Sequence, residues 1–268
     1  MIDRDDHRDG VGPAEGSLTN RWGVPRLVGA AIGVLVGVVI YLVGLPSSAS
    51  VFGTPLSDLT LPTALFVAGA TVAVIASTAT AGSWRVVDIV VASVLGVAGG
   101  LVFSVWNVGS APLREGLVPP VSAIVVGVWL FPAVLGALIV RRPGAAVYTE
   151  LVAAVLSALV GNEWGFATVW YGLVEGLGAE VVFALLLYRR YGLPTALLAG
   201  AGAGVAVGLL DTLVYYPELA AGTRLAYIAV AVLSGVVIAG LGSWALARAL
   251  ARTGTLAPLA SGRLTERV

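Results

Sequence analysis

Cysteine and lysine are both absent from the 268 residues, histidine occurs once, at His7, and only 11% of residues are charged. Without cysteine the chain forms no disulfide, holds no thiolate-ligated metal and has no thiol nucleophile. Without lysine it cannot carry a Walker A loop, whose lysine grips the nucleotide phosphates, so it is not itself a P-loop ATPase. The single histidine lies in a charged N-terminal stretch, which excludes a Ser-His dyad or a histidine-based metal site inside an apolar segment. Fifteen basic residues, all arginine, balance fifteen acidic ones, so no electrostatic footprint for nucleic acid is present.

In place of these, 58% of the residues are hydrophobic and the mean hydropathy is +0.97. Soluble domains carry roughly a quarter charged residues, so the composition is that of an all-α, polytopic membrane protein. Residues 1–25 are polar and glycine-rich and read as a disordered tail. Apolar runs over 26–45 and 61–80 read as two helices with nothing polar enough to form a site. Six more are expected near 84–108, 118–140, 145–160, 166–188, 194–215 and 224–250, the third of them short for a full span. This divides the chain into a tail (1–25), two additional transmembrane helices (26–82), a six-helix core (83–252) and a second tail (253–268).

Arginine placement orients these spans through the positive-inside rule. With both termini cytoplasmic, Arg85, Arg141, Arg142, Arg189, Arg190 and the terminal arginines collect on the inner side, and Arg114 and Arg224 fall outside. The outer mouth then gathers Trp106, Asn107, Asn162, Glu163, Trp164, Trp170 and Tyr171, with Asp211, Tyr215, Tyr216 and Tyr227 from the last two spans. Tryptophan and tyrosine at membrane interfaces also form the ordinary aromatic belt. The acids within spans are harder to dismiss, because an ionised carboxylate in hydrocarbon costs a few kcal/mol or more without a cavity, partner or cation. Glu150, Glu175, Glu180 and Asp211 are of this kind, and no arginine is embedded beside them. Glu175 follows Tyr171 by four residues on one helical face, while Glu180 is rotated away and deeper. Asp88 lies three residues after Arg85 and reads as its ion-pair partner.

Small residues recur every fourth position at Ala92, Gly96 and Gly100 and again at Gly200, Gly204 and Gly208. Such stripes let helix backbones approach closely, within the chain or against a partner. The glycines between 202 and 208 have neither the preceding strand nor the spacing of a dinucleotide-binding loop.

The runs WRVVDIVVASVLGVAGGLVFSVWN, RRPGAAVYTELVAAVLSALVGNEWG and YGLVEGLGAEVVFALLLYRRYGLP together resemble the YkoE family, substrate-binding (S) components of energy-coupling factor (ECF) transporters associated with thiamine and hydroxymethylpyrimidine. The resemblance covers residues 83–250. Its most specific pieces are RPGAA followed by Glu150, the pair Gly161–Asn162, and GLGAE ending at Glu180. It implies a vitamin captured at the outer face and released inward by a transmembrane coupling subunit with two ATPase subunits, with no cofactor and no catalysis by this chain. It points to Glu150, Asn162, Glu180 and Asp211 as matches to polar family positions. Glu175 is a departure, standing where glutamine is expected before GLGAE, and its added negative charge suits a cationic ligand. With Tyr171, Trp106 and Trp170 these residues make the expected substrate set. The resemblance also implies that Ala92, Gly96 and Gly100 face the coupling subunit.

Three other classes fit parts of the pattern. A proton-coupled secondary transporter would use Glu175 or Glu180 as its titrating group, although no inverted repeat or interrupted helix pair is evident. An intramembrane enzyme would have to work with carboxylates alone. A scaffold that uses only its small-residue stripes would be indifferent to loss of the acids.

Overall fold

The computed structural model describes residues 84–165, 167–257, 259 and 261–262, together with Ser50–Val51 and Thr54–Pro55 (β1 and β2), which pair antiparallel over two residues each. The apolar runs expected at 26–45 and 61–80 lie outside the described residues. The rest is helical: α1 (Val86–Gly109), α2 (Ala111–Gly116), α3 (Val121–Val140), α4 (Ala145–Val160), α5 (Ala167–Leu185), α6 (Leu193–Val214) and α7 (Ala221–Arg252). Five of these, α1, α3, α5, α6 and α7, are long and apolar enough to cross a membrane, and α4 is a shorter apolar helix of 16 residues. The six core helices thus fall where apolar periodicity placed them. The short α2, with Pro112 in its first turn, lies between the first two expected core helices.

Helix α1 shows why the chain needs a bilayer. Val86, Val90, Val94, Leu101, Val105 and Val108 are exposed along one side, an apolar surface that suits lipid rather than water. The other side buries Asp88, Ala92, Gly96, Gly100, Phe103 and Asn107 at helical spacing. That buried stripe lies against α4: a Cβ on Gly96 would stand 2.6 Å from Val152 Cβ, and one on Gly100 would stand 2.7 Å from the Ala153 carbonyl oxygen. The surface that the family resemblance assigned to a coupling subunit is therefore covered by α4 of the same chain. The stripe Gly200/Gly204/Gly208 is likewise taken up by α7, with Gly204 facing Ala231 and Val232. Helix α7 widens to π geometry over Gly235–Gly242 where it meets α6.

Helix α3 is the hub. It is 3₁₀ over Val121–Val128 and α-helical from Phe131, with Pro132 in the first turn where a missing N–H costs nothing. From Pro132 to Val140 every residue is buried, as expected of a helix apolar on all sides. Its Leu135 and Ile139 pack against Leu256 and Leu259, so the C-terminal segment, read from sequence as a tail, folds back onto the core.

At one end of the bundle the backbone turns through RRPG. Arg141 closes α3 in the left-handed region (φ 54°), and Gly144 opens α4 at φ 84°, a conformation glycine adopts without penalty. Asp88, fully buried, binds Arg85 at 2.7 Å and Arg142 at 2.9 Å. The expected Arg85 pairing is present, and Arg142 joins it from the α3–α4 connection. The opposite end, where α1, α4 and α6 finish and α3, α5 and α7 begin, is open.

Candidate functional site

A cavity of about 260 Å³ occupies that open end. Its depth is acidic. Glu175 from α5 and Asp211 from α6 both line it, and both are buried. The Tyr227 hydroxyl donates to Asp211 Oδ2 at 2.9 Å, which ties α7 to α6 and fixes the direction of the carboxylate.

The walls are aromatic. On one side Tyr171 stacks on Tyr215, with centroids 5.9 Å apart, and Tyr216 leans on Tyr227 at 5.3 Å. On the other, Trp129 meets Trp106 and Trp164 edge to face at 6.5 and 6.0 Å. Asn107 sets the orientation of Trp129, accepting from its indole Nε1 at 2.9 Å while donating to Ser157 Oγ at 3.1 Å.

The mouth lies between α2 and the α4–α5 connection. Arg114 from α2 lies 4.7 Å from the centre of the Trp164 ring and binds Glu163 at 2.6 Å. Among the described residues it is the one basic side chain lining the cavity.

The structure brings together Glu175, Tyr171 and Asp211 of the residues picked from sequence, and places the other five outside the lining. Trp106 stands behind Trp129 and donates from its indole to the Val125 carbonyl at 3.1 Å. Asn162 organises the α4–α5 connection: its Oδ1 accepts from the Trp164 amide and the Thr168 hydroxyl, and its Nδ2 donates to Ser157. Trp170 is 46% exposed. Glu150 is fully buried behind the Glu175 wall. One of its oxygens accepts from the Ala133 amide at 2.8 Å, and the other, Oε1, has no hydrogen-bond partner. Glu180 lies toward the opposite end, where it accepts from the amides of Gly144 at 2.6 Å and Ala146 at 2.9 Å. Among the described residues no group of three or more Asp, Glu or His could hold a metal ion.

Arg114, Trp129 and Thr168 line the cavity and were not among the sequence candidates. Trp129 had a readable signal. It sits well inside an uncharged span, too deep for the interfacial belt. For Arg114 the sequence gives only its place on the outer side, since the short helix α2 that brings it to the mouth has no strong apolar signal.

Comparison with known proteins bears on this geometry. The family model described as "ABC-type cobalt transport system, permease component" matches residues 87–206. The protein named "Putative HMP/thiamine permease protein YkoE" of Bacillus subtilis (strain 168) is 34% identical over 182 residues, covering 68% of this chain and 92% of that one. The chain belongs to the YkoE family. A crystal structure described as an S-component of an ECF transporter superposes with a TM-score of 0.66 at 33% identity, covering 69% of this chain and 94% of that one. The YkoE-family chain is thus a multi-pass membrane protein with the S-component fold and a transport component rather than an enzyme. The region shared with its relatives has about the length of the six-helix core.

Proposed function

We propose that this YkoE-family chain is the substrate-capture component of an ECF importer, and that it takes up thiamine or its hydroxymethylpyrimidine part from the extracellular face. One observation carries the reading: an aromatic-lined cavity with Glu175 and Asp211 buried in its lining and, among the described residues, Arg114 at its mouth as the one basic lining residue. Such a cavity is built for a planar cation. Aromatic faces and carboxylates stabilise a thiazolium, and the amine of an aminopyrimidine donates to Glu175 or Asp211. An anionic vitamin would meet two buried carboxylates. The relative bearing the name HMP/thiamine permease points to the same ligand.

The gathering of Arg85, Arg141, Arg142, Arg189 and Arg190 supports, through the positive-inside rule, a closed end toward the cytoplasm with the cavity facing outward and both termini inside. On this reading a transmembrane coupling subunit and two ATPase subunits drive release inward, and the lack of a P-loop lysine in this chain is consistent with energy supplied by such partners. The 26–82 region is an addition outside the six-helix core of 83–252, preceded by a tail at 1–25.

Isothermal titration of the purified protein with thiamine and with hydroxymethylpyrimidine tests the proposal. Saturable one-to-one binding of either compound supports it. Absence of binding by folded protein, with uptake in cells abolished by a protonophore but insensitive to loss of partner ATPases, would replace it with a proton-coupled transporter.

A further inference from the structure

The cation at the mouth of an otherwise acidic cavity is held by its neighbours to an unusual degree. Arg114 donates from Nε to Ser110 Oγ at 3.2 Å, and from Nη2 to both the Asn107 carbonyl at 3.1 Å and Glu163 Oε1 at 2.6 Å. Both Nη2 hydrogens and the Nε hydrogen are thereby committed, three of the five donors a guanidinium has. Its face is spent on Trp164. The Glu163 side chain is 53% exposed, whereas that of Arg114 is 21% exposed. The arginine is thus anchored in the wall, and the glutamate is laid over it from solvent.

A phosphate on the bound ligand has one place to go. Deep in the cavity it would sit against Glu175 and Asp211, so electrostatics drive it to the mouth. There an unmasked arginine would bind it with paired, charge-assisted hydrogen bonds. With Glu163 in place, the phosphate meets a neutralised guanidinium and a competing carboxylate.

We propose that the Arg114–Glu163 pair is a charge filter that makes the site prefer the unphosphorylated ligand over its phosphate ester, with Glu163 as the specificity-determining residue. This rests on the ligand class proposed above. A salt bridge at the rim achieves this preference without altering the acidic depth.

The test compares thiamine with thiamine monophosphate by titration calorimetry in wild type, Glu163→Gln and the double variant Glu163→Gln/Arg114→Gln, each checked for an unchanged unfolding transition. Wild type should prefer thiamine. Glu163→Gln should raise the affinity for the phosphate ester relative to thiamine by about tenfold, the value of one charge-assisted hydrogen bond released for the ligand. Adding Arg114→Gln should cancel that gain. An unchanged ratio in Glu163→Gln overturns the filter while leaving thiamine as the ligand. A gain that survives in the double variant overturns the role of Arg114. Wild type that binds no thiamine overturns the proposed ligand and the filter with it.

Discussion

Both oxygens of Glu180 are engaged by the start of α4, and the nearer donor is the Gly144 amide at 2.6 Å, followed by Ala146 at 2.9 Å. A helix N-terminus leaves its first amides without intrahelical partners, and a carboxylate there satisfies them and the helix dipole together. An expensive buried acid is thus a structural cap between α5 and α4. Glu180→Ala should lower unfolding stability by about 1–3 kcal/mol for each orphaned amide, measured by thermal or denaturant unfolding in detergent. Ligand affinity of the remaining folded protein should be retained. A variant of unchanged stability with lost affinity would place Glu180 in the binding function instead.

Asp211 and Tyr227 behave differently. Asp211→Asn removes a charge from the cavity and should weaken thiamine binding about 10- to 100-fold, the range of a lost close charge interaction. Tyr227→Phe removes only the 2.9 Å hydrogen bond that aims the carboxylate, and should have a smaller effect. Calorimetry on both variants checks the order. Equal losses would mean that the tyrosine, not the charge, holds the ligand.

The stripe on α1 predicts a packing defect rather than a partner defect. Gly96→Leu would drive a side chain into Val152 and the Thr149 carbonyl, 2.6 and 2.9 Å from the new Cβ. It should lower the unfolding temperature of the isolated chain sharply, since overpacking costs about 1–3 kcal/mol or more. Val94→Ala on the exposed side of the same helix should not. Tolerance of Gly96→Leu in the isolated chain would contradict the α1–α4 packing.

Asp88 holds two arginines from two places in the chain. Breaking a buried pair from one side is costlier than its net contribution, because the carboxylate stays buried. Arg142→Ala should therefore destabilise the fold, and Asp88→Asn combined with Arg142→Ala should be less destabilising than the sum of the two. A double-mutant cycle on unfolding stability measures this. Strict additivity would show that the 2.9 Å contact carries no coupling.

The six core helices were legible because apolar runs of membrane length are a strong signal. The acids were legible only as a set. Glu175, Asp211, Glu150 and Glu180 are all carboxylates within apolar helices, and sequence cannot say which of them meets a cavity and which meets backbone amides of another helix. That distinction depends on long-range neighbours: Gly144 and Ala133 lie far from Glu180 and Glu150 in helix register but beside them in space. The same holds for Trp129, whose orientation depends on Asn107 from another helix. The small-residue stripes were visible as stripes, but the helix that covers each of them is a property of the tertiary arrangement.

The central claim is that the charge of Glu175 selects a cationic aromatic ligand. The direct measurement is a fluorescence titration, using the seven tryptophans, of wild type and Glu175→Gln with cationic thiamine and neutral hydroxymethylpyrimidine. The predicted result is saturable quenching of wild type by thiamine, weakened in the variant by about tenfold or more, with a smaller change for the neutral pyrimidine. A variant that binds thiamine as tightly as wild type, or a wild type that binds the anionic vitamin folate equally well, would contradict it.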